Sequence, residues 1–285
     1  MNIMKCNKEW MKVMIQMPSS SIQQNKSLAQ NLEEGLPLEN CYIAIKNKRC
    51  VCRIVVFPQM KYLGYFTIED ISQDETDQFM KTVLSHLDTT INWRIDLYGD
   101  KKNYQKIYTT LRKYFQTEIK RESYTVTCHL QESDDHLFQK ADKLQKEEII
   151  SIIQRVNETT YDRLILKGHR QDGAKQLYEE MRQEKDLFQV LVIKEKPIGF
   201  VCVNRLLEDI GGIYYIGVDP VYQGHHYGEL LLKKAIHMAY LAQIHTLIAD
   251  IDEHNIYIRK HLKSCGFMLD CKESVFLLHE NEQNG

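Results

Sequence analysis

Apolar residues along the chain recur with two periods, and the change from one to the other marks out its elements. In the C-terminal half, Leu144, Ile149, Ile150, Ile153 and Val156 return at helical spacing among charges, which predicts a helix over 144–157. A second helical pattern covers 171–184. The run 188–193 is short, apolar and β-branched. It predicts a strand, followed by a polar turn at Lys194, Glu195 and Lys196 and a return strand over 197–203. Gly211 and Gly212 interrupt the chain, and 213–218 reads as the next strand, stopped by Asp219-Pro220. A helix over 228–243 lines up Leu231, Ala235, Met238, Ala239 and Ala242 on one face. A strand at 246–250 follows. Asn255 then caps a short helix in which Ile258, Leu262 and Cys265 share a face, Gly266 ends it, and a last strand runs over 273–278. This order predicts an α/β fold, a mixed sheet with helices on both faces.

The N-terminal half repeats the order more weakly. A hairpin is expected at 41–45 and 51–57, a strand at 62–68 and a helix at 79–87. Asn103 stands before Phe115 as Asn255 stands before Phe267, an offset of about 150 residues that predicts an internal duplication at domain scale. The expected domains are 1–130 and 131–285, parted where polar residues 131–135 follow a strand-like 124–130.

A formal net charge of −2 supplies no basic field for nucleic acid. No run reaches the roughly 18–20 apolar residues that span a bilayer. Residues 1–17 carry Lys5, Lys8 and Lys12 and lack the continuous apolar stretch of a signal peptide, so a cytoplasmic protein without a membrane partner is expected. The eight cysteines form no C-x-x-C pair and no zinc spacing. They read as reduced core thiols, and no metal site is expected.

The segment from Val218 to Leu232 joins a strand to a helix through a loop containing Gly224 and Gly228. Such a loop aims backbone N–H groups at an anion, and the helix N-terminus adds partial positive charge. The Gly-Lys-Ser/Thr ending of a nucleotide-triphosphate loop is missing. The segment resembles the acyl-CoA pyrophosphate loop of the GNAT superfamily, Gln/Arg-x-x-Gly-x-Gly/Ala. Gln223, Gly224 and Gly228 match, and His226 stands where the middle Gly is usual. Asn255 through Gly266-Phe267 is similar to the superfamily's Asn-to-Gly-Phe element, and the resemblance covers about 131–280.

The resemblance implies two tandem GNAT-like acyl-CoA N-acyltransferase domains, the N-terminal one degenerate. It also implies acetyl-CoA as cosubstrate, lying in a V-shaped opening between two splayed strands. Ile216, Gly217 and Val218 would border the pantetheine arm, with Gln223, Gly224, His225, His226, Tyr227 and Gly228 around the pyrophosphate. Asn255 would meet the arm or order its turn. The implied function is acetyl transfer to a primary amine of a small molecule or peptide by direct attack. The alternative is a CoA-binding or interaction protein of the same fold with weak or no turnover.

Two positions depart from the superfamily. Leu262 occupies the place of a Tyr that protonates the leaving thiolate, and Gly212 the place of a Glu base. Glu208, Asp252 and His261 are the expected catalytic candidates, with Asp250 and Tyr257 as neighbours. Tyr161, Arg163 and His169 are expected toward the acceptor. In the N-terminal half, Gln73 to Gln78 takes the loop position without a Gly, and Asp74, Glu75 and Asp77 would repel a pyrophosphate. That half is therefore expected not to bind CoA, and the chain to be a monomer or weak dimer.

Overall fold

The computed structural model describes residues 1–18, 22–99, 102–130, 134–164 and 171–279. It divides the chain into two compact units. One is Met1–Lys120 with Glu273–Gly285, and the other is Arg121–Lys272.

The first unit contains β1 (Asn2–Lys5), α1 (Lys8–Ile15), α2 (Ile22–Glu33), β2 (Cys41–Lys46), β3 (Arg49–Phe57), β4 (Tyr62–Ile68), α3 (Gln73–Leu84), β5 (Arg94–Tyr98) and α4 (Tyr104–Tyr114). β1 to β4 pair antiparallel in sequence order, and β5 lies parallel to β4. The helix expected at 79–87 starts earlier, at Gln73. Ser72 caps it by accepting from the Glu75 N–H, and the Glu75 carboxylate returns to the Ser72 N–H. This capping box turns six polar residues that read as a loop into the helix's first turns.

β6 (Thr117–Thr127) leads into the second unit. There follow β7 (Phe138–Lys140), α5 (Lys146–Thr159), α6 (Gln171–Met181), β8 (Phe188–Ile193), β9 (Lys196–Arg205), β10 (Ile210–Val218), α7 (Tyr227–Leu241), β11 (Thr246–Asp252), α8 (Ile256–Ser264) and β12 (Met268–Leu277). β7 to β10 are antiparallel, and β11 lies parallel to β10. The core of this unit has two sides. On β9, Phe200 and Cys202 pack with Ile149, Ile153 and Met181 of α5 and α6, while Val201 and Val203 pack with Leu231, Ala235 and Leu262 of α7 and α8. Alternation along a strand sends neighbouring residues to opposite faces, so a near-continuous apolar run marks a strand covered on both sides.

The final strands part from the expected division at 130/131. From Arg121 onward β6 pairs antiparallel with β11, and from Glu273 onward β12 pairs antiparallel with β5. Each strand's pattern reports its burial but not its partner, which explains the difference.

All eight cysteines are free thiols, and seven are buried. Burial pushes the Cys41 and Cys50 thiols up to about 12. No group of three or more His, Cys, Asp or Glu able to hold a metal occurs among the described residues, and none of their helices is long and apolar enough to cross a membrane.

Candidate acyl-CoA site

The second unit's sheet opens at one place. β10 and β11 pair only from Ile210 to Gly212 against Thr246 to Ile248. Beyond that, β10 carries one extra residue. Ile213 faces Val203, yet Tyr215 faces Cys202, so Tyr214 forms a bulge. The strand then continues to Val218 bonded to β9 alone. The Asp219 N–H donates to the Ile198 carbonyl at 2.8 Å. By the alternation of an antiparallel ladder, Gly217 and Tyr215 also bond toward β9, and the backbone groups of Ile216 and Val218 face the opening. The Val218 carbonyl accepts from Gln223 Nε2 at 3.2 Å.

Gly217 is placed by packing as well as by the opening. A Cβ there would lie 2.6 Å from Val156 Cγ1, so only Gly lets β10 approach α5 this closely. Below the strand, Asp219 accepts the Val221 N–H and is held by Arg155, whose Nε lies 3.0 Å from Oδ2. These contacts fix the entry to the loop.

The loop then turns through Gly224 at φ +83° and His226 at φ +61°. His226 takes the left-handed conformation that favours Gly, at a cost of roughly 1–2 kcal/mol. A Cβ on Gly224 would meet nothing within 4 Å. The Glu229 and Leu230 N–H groups are the first to bond within α7, both to the His226 carbonyl. The N–H groups of residues 224–228 donate to no protein acceptor among the described residues. Five consecutive donors at a helix N-terminus, flanked by open space, fit a diphosphate.

A cavity of about 440 Å³ adjoins this loop. Its lining includes Ile216, Gly217, Val218, Gln223, Gly224, His226, Tyr227, Gly228 and Asn255, nine of the ten expected cofactor residues. His225 is exposed, with its ring 5.9 Å from that of Tyr227. A second cavity of about 270 Å³ lies between the parted strands β10 and β11, lined by Arg121, Asp162, Tyr214, Tyr215, Asp250 and Leu262 among others. Thr160, Ile216, Asn255 and Ile258 line both. Asn255 caps α8 by accepting the Ile258 N–H at 3.2 Å and borders both cavities.

The expected catalytic candidates fall in three different places. Glu208 sits in the exposed turn between β9 and β10 and lines neither cavity. Asp252 is fully buried and accepts from Arg163 Nε at 2.8 Å, Arg163 Nη2 at 3.0 Å and the His254 N–H at 2.9 Å. Burial raises its carboxyl, but these donors outweigh burial and hold it below the usual carboxylate range. His261 lines the larger cavity against the first turn of α7, its Cδ2 3.4 Å from where a Gly228 Cβ would stand. That places it beside the loop of residues 224–228. Tyr257 lines the same cavity, its ring 5.4 Å from that of Tyr161. Leu262 is fully buried in the core. His169 lies outside the described residues.

Sequence reasoning missed Arg121, Asp162 and Tyr214. Arg121 Nη1 donates to both oxygens of Asp162, at 2.9 and 2.8 Å, and Nη2 to the Asp250 carbonyl at 2.9 Å. The Tyr214 phenol donates to Glu180 at 2.5 Å. Burial first, and then that carboxylate, raises the phenol's proton affinity. Tyr215, also raised by burial, donates to Asn157. None of these residues belongs to a local motif.

Residues 147–267 match the acetyltransferase (GNAT) family. No curated protein matches the sequence significantly. Among solved structures, a GCN5-related N-acetyltransferase from Sphaerobacter thermophilus superposes with a TM-score of 0.61 at 9% identity, over 95% of this chain and 90% of that one. A GNAT-family acetyltransferase from Colwellia psychrerythraea gives 0.53 at 16% identity, over 83% and 84%. A GCN5-related N-acetyltransferase from Kribbella flavida gives 0.53 at 9% identity, over 91% and 95%. At these identities the structures speak for the fold, which is mixed α/β and consistent with two GNAT-like domains. The family match spans 147–267, the stretch that carries α5 to α8 and the opening between β10 and β11.

Proposed function

We propose that the second unit is an acetyl-CoA-dependent N-acetyltransferase acting on a primary amine. The observation that carries this reading is the meeting of two features at one opening. The edge of β10 that no neighbouring strand covers leads directly to five unpartnered N–H groups at the head of α7. Acetyl-CoA would supply the activated acyl group as a thioester. In this reading residues 224–228 hold the diphosphate, the Ile216 and Val218 edge aligns the arm, and Asn255 faces it from α8. The thioester end then lies at the wall shared by the two cavities, and the amine enters through the smaller one. A backbone N–H at Ile216 faces the opening and suits polarisation of a thioester carbonyl. The remaining catalysis is alignment of a neutral amine for direct attack.

Buried Leu262 offers no proton to a departing thiolate, which supports slow turnover and keeps a CoA-binding protein without catalysis as the second reading. We further propose that the N-terminal half is a degenerate copy that binds no CoA. Its elements follow the same order: Cys41 answers to Phe188, Tyr62 to Ile210, Gln73 to Tyr227 and Tyr104 to Ile256 as element starts. At the head of α3, however, the Ser72 hydroxyl and Glu75 carboxylate already occupy the N–H groups of Glu75 and Ser72. The test is release of CoA thiol from acetyl-CoA in the presence of a panel of amines. Amine-dependent release supports transfer. Tight CoA binding without release from any amine refutes it and favours the second reading.

A further inference from the structure

We infer that the smaller cavity selects an acceptor carrying a positive charge besides its attacking amine, and that Asp250 is the residue that reads this charge. The inference rests on the acetyl-transfer reading and names its substrate class. Three charged residues line the cavity: Arg121, Asp162 and Asp250. The first two satisfy each other. Arg121 grips both oxygens of Asp162, and the two side chains are only 9% and 14% exposed. An acceptor's carboxylate therefore meets no free cation in this lining, and Asp162 adds no net charge to it.

Asp250 differs. Its side chain is exposed, and its carboxylate forms no ion pair among the described residues. It stands on β11 two residues past Ile248, where β10 has already parted from the strand, so it borders the end of the opening at which transfer would occur. Arg121 Nη2 holds its backbone carbonyl, which fixes the position from which the carboxylate projects. The phenols of Tyr214 and Tyr215 already donate to Glu180 and Asn157. The cavity thus has one spare negative charge, which attracts an ammonium and repels a carboxylate. A short diamine satisfies both demands. One nitrogen attacks as the neutral amine while the other stays protonated against Asp250.

The experiment compares kcat/KM for butane-1,4-diamine, butylamine and 4-aminobutanoate, in the wild type and in Asp250→Asn. The wild type is expected to prefer the diamine over the monoamine by about tenfold, equivalent to about 1.4 kcal/mol, with the amino acid poorest. In Asp250→Asn the diamine preference collapses to within about twofold while acetyl-CoA affinity holds. Equal loss for all three acceptors, or a wild type that favours 4-aminobutanoate or shows no preference, overturns the inference. Calorimetry of butane-1,4-diamine with the CoA-bound protein separates this inference from the function it rests on. Binding that Asp250→Asn abolishes supports the cation site even where no acceptor turns over, an outcome that would sink acetyl transfer alone. No binding to the wild type overturns the cation site.

Discussion

Arg163 brackets Asp252: Nε lies 2.8 Å from one carboxylate oxygen and Nη2 3.0 Å from the other. The preceding residue, Asp162, is held in the opposite sense by Arg121. One dipeptide therefore offers an acid to β6 and a base to β11, and the segment that walls the smaller cavity is tied down twice. Removing Asp252 takes the buried carboxylate away from Arg163 and from the His254 N–H. Asp252→Ala is expected to cost about 3 kcal/mol of stability, by the general rule for breaking a buried ion pair. A urea denaturation series measures it, and a loss below about 1 kcal/mol would contradict the pairing.

The same pair sets a pH dependence. The Asp252 carboxyl lies lower in the folded chain than the unfolded value of about 3.9. Its contribution is therefore complete above that value and disappears as pH falls through the folded one. Denaturation midpoints between pH 7 and pH 3 should fall more steeply in the wild type than in Asp252→Asn. Parallel curves would contradict the assignment.

Gly217 supplies a prediction about packing. Any side chain there strikes Val156, with 2.6 Å between the added Cβ and Cγ1. Gly217→Ala is expected to cost about 1–3 kcal/mol, the usual range for overpacking, and Val156→Ala in the same chain to return most of it. Thermal unfolding of the two single variants and the double variant checks this. Additive losses would show that the two residues do not press on each other.

In the first unit, Arg53 is fully buried. Its Nη1 donates to the carbonyls of Met14 and Ile15, at 2.6 and 3.0 Å, at the end of α1. Burial, the largest influence, lowers the guanidinium to about 10. Arg53→Met leaves those carbonyls without this donor and should cost about 1–3 kcal/mol, read as a lowered Tm. An unchanged Tm would rule out the capping role.

The sequence showed most clearly what local chemistry encodes. The strands around Val190, Val201 and Ile216 were legible because β-branched runs end at Lys194-Glu195, at Gly211-Gly212 and at Asp219-Pro220. The loop from Gln223 to Gly228 was legible because its glycines and the helix after it form one contiguous motif. The start of α3 was not, although the Ser72-to-Glu75 spacing is itself a capping signal, because six polar residues carry no periodicity. Arg121 was missed for a different reason. It reaches Asp162 and Asp250 only through the pairing of β6 with β11, and nothing in its neighbourhood of the chain records that register.

The central claim is that residues 224–228 hold the diphosphate of one acyl-CoA per chain. The direct measurement is calorimetric titration with acetyl-CoA of the wild type and of Gly228→Glu. That substitution sets a carboxylate among the free N–H groups, at a position where a Cβ itself finds ordinary contact with His261. One site per chain, abolished in Gly228→Glu, is the predicted result. Two sites per chain, or binding that survives the substitution, would contradict it.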